Sequence, residues 1–529
     1  MVDDRFHVYD TTLRDGAQQE GLNLTVADKL AIARHLDRLG VGFIEGGWPG
    51  AVPKDTEFFR RAPAELDLRH AQLAAFGSTR KAGVKAADDP QVAALRESRA
   101  PVVTLVAKSH DRHVELALRT TLDENLAMIA DTIAHLRGEG QRVFLDAEHF
   151  FDGYRSNPGY ALECVRVAAE AGADVIALCD TNGGMMPSEL GDVVRAVADV
   201  TGARLGIHCH DDTACGVANT LVAVEAGVTH VQGTANGYGE RAGNANLFSV
   251  VAGLQLKKGL RVLDGDGIVE MTRIAHAISE VTNVAPDTHQ PYVGLSAFAH
   301  KAGLHASAVR VDPMLYQHVD PALVGNDMRM LVSDMAGRAS VELKGRELGY
   351  DLGAADREVI GRVTGRVKEL EARGYSFEAA DASFELLLRD ELAGERRRHF
   401  TVESWRVIVE RRADGVLTSE ATVRLTAKGE RVIAVGEGNG PVNALDMALR
   451  SALEQSFPEL ACLELADFKV RILEGTHGTG AITRVLIESG DGSGETWSTV
   501  GVDENIIAAS WHALEEAVTY GLLRAGREP

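Results

Sequence analysis

The sequence predicts an α/β protein: a (β/α)8 TIM barrel, then a helical subdomain, then a C-terminal α+β domain of two βββα repeats. Three observations predict it. Short apolar runs alternate with helical stretches from Phe6 to Asn236, as in a barrel of that length. Reactive residues fall at or just beyond the C-terminal ends of those runs, the face on which barrels build active sites. A pattern near the C-terminus occurs twice.

The strand candidates are Phe6–Tyr9, Gly42–Glu45, Gln72–Phe76, Val102–Val106, Arg142–Asp146, Val175–Leu178, Arg204–His208 and Thr229–Gln232. Between them, Thr25–Leu39 opens with a capping threonine and carries Leu30, Ala33, Leu36 and Leu39 at helical spacing. Asp123–Arg137 and Pro158–Ala171 read as amphipathic helices, the second after an Asn-Pro start. Periodicity alone leaves an open doubly wound sheet as the alternative; the strand-end clustering favours the barrel.

From 264 to about 390 the pattern is helical with loops and contains His300-Lys-Ala-Gly-Leu-His305. The charged run Glu391–Arg398 reads equally well as a linker or a solvated helix end. In the repeat, Val435–Leu445 precedes a helix with Ala448, Leu449 and Ala452, and Val500–Ala509 precedes one with Ala513, Leu514 and Ala517. Strand-like segments lead into each helix: Thr401–Val409, Glu420–Leu425 and Val432–Val435, then Phe468–Leu473, Ala481–Glu488 and Thr496–Val500. The expected domains are a catalytic barrel at 1–265, a helical arm and linker at 266–390, and a regulatory domain at 391–529.

A length of 529 residues exceeds one compact core. A formal net charge of −22 argues against nucleic acid and anionic membrane surfaces as partners, since both select basic faces. The five cysteines, Cys164, Cys179, Cys209, Cys215 and Cys462, form neither a disulfide framework nor a zinc knuckle. The opening MVDDRFHVYD has no basic and apolar leader, and no apolar run is long enough to span a bilayer, so a reduced cytoplasm is the expectation.

His208-Cys209-His210 lies at a strand end, where period-2 alternation puts both imidazoles on one face and Cys209 on the other. Two such histidines can ligate a divalent ion, or be structural. Asp15 and Asn244 can add oxygen ligands, and Asp211 and Asp212 can orient the rings. Two nitrogen and two oxygen donors suit Mg²⁺, Mn²⁺ or Zn²⁺. Arg14 is either a salt-bridge partner or a stabiliser for an oxygen that becomes anionic. Glu45 and Glu148 can orient a ligand or the arginine, or act as acid and base. Glu148 is favoured for acid/base work and Glu45 for a supporting place in the substrate-binding set. Thr181 can bond a substrate carboxylate or cap a helix. Gly237–Asn246 lacks both the Lys-Ser/Thr of a P-loop and a dinucleotide-binding context, so its glycines are assigned to a sharp turn that delivers Asn244.

Taken together, Tyr9-Asp-Thr-Thr-Leu-Arg-Asp-Gly16, His208-Cys-His-Asp-Asp212 and Gly237-Tyr-Gly-Glu-Arg-Ala-Gly-Asn-Ala245 resemble the DRE-TIM metallolyases. More narrowly they resemble the isopropylmalate, homocitrate and citramalate synthase family, whose allosteric domain the stretch Gly438–Leu445 also resembles. Ile44-Glu-Gly-Gly-Trp-Pro-Gly50 and Pro53-Lys-Asp55 look most like the branch that uses pyruvate.

The resemblance implies a metal-dependent condensation of acetyl-CoA with pyruvate. Asp15, His208, His210 and Asn244 match metal-site positions. Arg14 and Thr181 match residues that contact the oxo acid, and Glu148 matches the catalytic set. His305 and Tyr316 match a mobile arm that completes the partner's site in a homodimer, and isoleucine is the implied effector. One departure affects the pocket: Glu148 is followed by His149, Phe150 and Phe151, where the family often has acidic or small polar residues. The rival readings are isopropylmalate or homocitrate synthesis, a lyase on the same barrel, and a catalytically silent amino-acid sensor.

Overall fold

The computed structural model describes residues 5–529 apart from 353–356, 397, 412, 474–479, 493 and 528. The first four residues of the opening segment and Arg397 of the charged run therefore lie outside the described residues.

Eight parallel strands close into a barrel. They are β1 (His7–Asp10), β2 (Phe43–Gly47), β3 (Gln72–Ser78), β4 (Val102–Lys108), β5 (Arg142–Glu148), β6 (Val175–Asp180), β7 (Leu205–Cys209) and β8 (His230–Gly233). Closure is made by β1 against β8, with His7 opposite His230 and Asp10 opposite Gly233. Each strand runs one to two residues further at its C-terminal end than its apolar run. The strand-end carboxylates Asp10, Glu148 and Asp180 are thereby held in hydrogen-bonded ladders rather than in loops.

Local chemistry sets the helices. Thr25 accepts from the Asp28 N–H and the Asp28 side chain reaches back to the Thr25 N–H, a reciprocal cap that starts the helix Val26–Leu39. Gly40 ends it at φ 95°. Asn157 caps Pro158–Glu170. Inside the barrel Tyr9, Phe43, Ala74, Val102, Phe144 and Val175 form a fully buried layer, while outward-facing Val8, Ile44, Val103, Leu145 and Ile176 pack with helices in the surrounding core.

The chain divides into two compact units, the first running to Phe298 and taking in Val319–Asp327. The second holds Ala299–His318 and Met328–Pro529. It opens with the two-residue parallel strands β9 (Ala299–His300) and β10 (Arg329–Met330) and four helices, Gly303–Val309, Arg338–Glu347, Arg357–Ala372 and Asp381–Ala393. The charged run resolves as a helix end, since Asp381–Ala393 runs into it and stops at Gly394 with φ 72°.

Two antiparallel meanders follow, each backed by a helix. β11 (Phe400–Arg411), β12 (Leu417–Ala427) and β13 (Glu430–Gly438) lead into Pro441–Leu453. β14 (Glu464–Ile472), β15 (Thr483–Gly490) and β16 (Thr496–Asp503) lead into Ile506–Arg524. This is the expected pair of βββα repeats. Ala444, Ala448, Ala452, Ala509, Ala513 and Ala517 are all buried where the helices meet the sheets. Among the described residues no helix is long and apolar enough to cross a membrane.

Candidate active site

The turn after β1 builds the first half of the site. Asp10 accepts from the Thr12 N–H and the Thr12 hydroxyl, both at 2.9 Å, and the N–H groups of Arg14 and Gly16 return to the Thr11 carbonyl. One helical turn is thereby fixed, and it projects Arg14 and Asp15 into the barrel mouth. Arg14 is gripped on two sides. Its Nε donates to Glu45 Oε1 at 2.5 Å, and its guanidinium carbon lies 3.8 Å from the centroid of the Phe76 ring. Trp48 stands edge-on to Phe76 at 5.2 Å.

Glu45 itself is wholly buried, and its Oε2 accepts from the Tyr9 hydroxyl at 2.6 Å. It does not line the cavity. The place expected for Glu45 in the substrate-binding set is therefore a supporting one: both its oxygens are committed, and it positions Arg14.

β7 delivers the histidines as its alternation requires. His208 Nε2 lies 3.2 Å and His210 Nε2 3.7 Å from Asp15 Oδ2, while Cys209 is buried on the opposite face. One donor atom from each of Asp15, His208 and His210 falls within 4.8 Å of the others, the one such convergence of three among the described residues. Burial alone would raise the Asp15 carboxyl, but Arg14 and His208 hold it well below the usual carboxylate range. Burial and the neighbouring His208 push His210 down to about 4, so it is neutral near pH 7, the form a ligand needs.

The Gly-rich loop brings Asn244 beside His210 through an isolated antiparallel bridge. Gly239 and Gly243 take φ of 148° and 90°. A Cβ on the first would lie 2.3 Å from Asn244 Nδ2, and one on the second 2.1 Å from the Gly237 carbonyl. Asn244 Nδ2 donates to the Tyr238 carbonyl at 3.0 Å, while its buried Oδ1 has no hydrogen-bond partner. A carboxylate, two imidazoles and this orphaned oxygen are a donor set that fits a divalent cation.

The rings are not oriented by Asp211 and Asp212, as adjacency had suggested. Asp211 accepts from the Gly216 N–H at 2.7 Å, and Asp212 pairs with Arg241 at 2.8 Å. A turn after β7 carries both carboxylates away from the imidazoles. His208 Nδ1 instead meets Gln232 Oε1 at 3.0 Å, across the β7–β8 pairing.

Arg14, Asp15, Glu148, Thr181, His208 and His210 line one cavity of about 640 Å³, within the range of small-molecule sites. Glu148 pairs with Lys108 at the end of β4. Thr181 does not cap a helix, since the next one starts at Pro187. Its Oγ1 accepts from the His149 N–H at 2.8 Å. His149 reaches that bond from a left-handed backbone, φ 56°, with its ring 4.1 Å from that of His113. In the second unit, His305 lies on the helix Gly303–Val309, and its ring stacks on Tyr316 at 4.2 Å.

Sequence reasoning missed Lys108, Asp146, Gln232 and Phe76. The strand-end rule, applied to every polar residue at or just beyond a predicted strand end, would have flagged Lys108, Asp146 and Gln232. Phe76 also ends a predicted strand, but an apolar ring there carried no chemical signal.

Fold and donor set together define a class: a closed eight-stranded barrel with three convergent candidate metal donors at the C-terminal mouth of its strands. The HMGL-like family model matches residues 5–281, a model described as homocitrate synthase post-HMGL domain-like matches 292–375, and the LeuA allosteric (dimerisation) domain model matches 378–522. An (R)-citramalate synthase of Streptomyces coelicolor is 71% identical, over 100% of this chain and 98% of its own. One from Aquifex aeolicus is 47% identical over 99% of both. A probable 2-isopropylmalate synthase of Methanopyrus kandleri is 33% identical over 97% of this chain and 98% of its own. The chain belongs to the (R)-citramalate synthase family and is an enzyme of its acyltransferase type.

Proposed function

We propose that this enzyme joins acetyl-CoA to pyruvate and hydrolyses the resulting thioester, releasing (R)-citramalate and CoA. The observation that carries this reading is the convergence of Asp15, His208 and His210 next to Arg14 in one cavity. A divalent ion (Mg²⁺, Mn²⁺ or Zn²⁺) held by those three residues, with Asn244, supplies Lewis-acid polarisation of the ketone when bound.

The protein's own groups do the rest. Proton loss from the acetyl methyl group gives an enolate whose carbon forms the new bond to the keto carbon of pyruvate. The keto oxygen gains the negative charge, and Arg14, already fixed by Glu45 and Phe76, places a permanent cation beside it at no cost of reorganisation. Thr181 Oγ1 accepts from a backbone N–H, so its hydroxyl proton is available to the pyruvate carboxylate. Glu148, set at the cavity edge by Lys108, orients the hydrolytic water and handles its proton. His305, stacked on Tyr316, is assigned as the base that takes the methyl proton, acting in the barrel of a second copy. Water adds to the thioester carbonyl, the C–S bond breaks, and the thiolate leaves as CoA.

A homodimer in the cytoplasm with isoleucine as effector of the C-terminal repeats completes the reading. Exposed Ile408, Ile433 and Val435 on the first meander and the match to a dimerisation model support the dimer.

The test is CoA release followed with a thiol reagent, using acetyl-CoA and Mg²⁺ or Mn²⁺ with pyruvate, 2-oxoisovalerate or 2-oxoglutarate in parallel. Preference for pyruvate that a chelator abolishes supports the reading. Preference for 2-oxoisovalerate would move the chain to isopropylmalate synthesis, and no release with any of them would overturn the synthase reading. Isoleucine added to the same assay tests the effector.

A further inference from the structure

We propose that Gln232 holds His208 in the one tautomer that leaves Nε2 free to bind the metal, with the Asp146 carboxylate fixing which way the Gln232 amide points. The proposal rests on the metal-site reading above.

A glutamine side chain has a donor end and an acceptor end, and its neighbours decide which faces which way. Gln232 on β8 sits between two of them. Its Oε1 lies 3.0 Å from His208 Nδ1, and its Nε2 lies 2.8 Å from Asp146 Oδ1, two residues before Glu148 on β5. Gln232 is fully buried and Asp146 nearly so. An ionised carboxylate only accepts, so the amide nitrogen must face Asp146 and the carbonyl oxygen must face His208. A carbonyl oxygen only accepts as well, so His208 Nδ1 must carry hydrogen. Nδ1 is thereby excluded as a ligand atom, and Nε2, which faces Asp15 Oδ2, is the nitrogen that gives up its hydrogen to a bound cation.

One contact opposes this orientation. Arg204 donates to His7 Nε2 at 2.7 Å, and His7 Nδ1 lies 3.3 Å from His230 Nδ1, which leaves the hydrogen of His230 on Nε2. That atom lies 3.3 Å from Gln232 Nε2 and would prefer the amide oxygen there. A neutral donor at 3.3 Å stands against a charged acceptor at 2.8 Å, and charge-assisted bonds are about twice as strong as neutral ones, so Asp146 prevails.

The test is Mn²⁺ binding to the full chain at pH 8 by titration calorimetry, without substrates, so that the readout is affinity rather than turnover. Gln232→Leu, of similar size but with no acceptor, is expected to weaken Mn²⁺ binding about 10- to 100-fold, the usual cost of losing a group that orients a metal-bound histidine. The double exchange Gln232→Glu with Asp146→Asn reverses the link between the two side chains but keeps an acceptor on His208. It is expected to bind within about threefold of wild type, by the same logic. Wild-type affinity in Gln232→Leu overturns the proposal. So does a double exchange as weak as the leucine variant, and this second arm decides the matter if Gln232→Leu fails to fold. A wild-type protein that binds no Mn²⁺ sinks the metal-site reading itself and the tautomer lock with it.

Discussion

Arg14 shows how much of the proposed chemistry sits in one side chain and how little of its setting is local. Its ion-pair neighbour in sequence, Asp15, is 3.7 Å away, whereas its short bond is to Glu45 on another strand and its stacking partner is Phe76 on a third. Arg14→Ala is expected to lower kcat by about 10²- to 10³-fold, the cost of removing one preorganised oxyanion donor, with the KM for pyruvate changed only severalfold. Collapse of pyruvate affinity with kcat intact would assign Arg14 to binding instead. Arg14→Lys should not rescue kcat, because an ammonium cannot both bond Glu45 through Nε and lie flat on a ring. His208 and His210 were legible as a pair because strand alternation alone puts them on one face. The partner of His208 was not, because Gln232 reaches it only through strand pairing.

Elements carry their own predictions. The loop after β8 delivers Asn244 only because Gly243 adopts φ 90° where a Cβ would collide with the Gly237 carbonyl. Gly243→Ala is therefore expected to displace Asn244 and to lower metal-dependent activity at least tenfold, while the barrel still folds as judged by far-ultraviolet circular dichroism. Unchanged activity would remove Asn244 from the site.

In the second unit, Ser383 on the helix Asp381–Ala393 donates to Glu516 on the helix Ile506–Arg524. Burial pushes Glu516 up from 4.5 to about 7. A carboxyl raised on folding contributes stability that is complete below its unfolded pKa, here about 4.5, and that is lost as pH rises through 7. Thermal unfolding followed from pH 4.5 to 8 should therefore show a fall in the Tm of this unit that Glu516→Gln lacks. An identical pH profile in the variant would mean that folding does not raise the carboxyl's pKa. Here the sequence named the C-terminal helix and its alanine face, but neither the helix Asp381–Ala393 nor a carboxyl trapped between the two.

For the whole molecule, a cation that binds only the folded barrel must stabilise it by mass action. At a hundredfold excess of Mn²⁺ over its Kd the gain is about 2.7 kcal/mol, visible as a higher Tm for the first unit and reversed by chelator. A Tm indifferent to both would leave Asp15, His208 and His210 as a structural cluster.

By itself the sequence determined what depends on short range: the order of strands and helices, the helix caps at Thr25 and Asn157, the placement of the two histidines, and the doubled C-terminal unit. Backbone geometry and hydrophobic period are properties of neighbouring residues, so they can be read along the chain. Only the tertiary structure decided that Glu45 serves Arg14, that Gln232 rather than Asp211 or Asp212 faces His208, that Thr181 bonds the His149 N–H, and that Lys108 holds Glu148. These partners are brought together by the pairing of strands far apart in sequence. Barrel closure sets them through a register that no local pattern encodes.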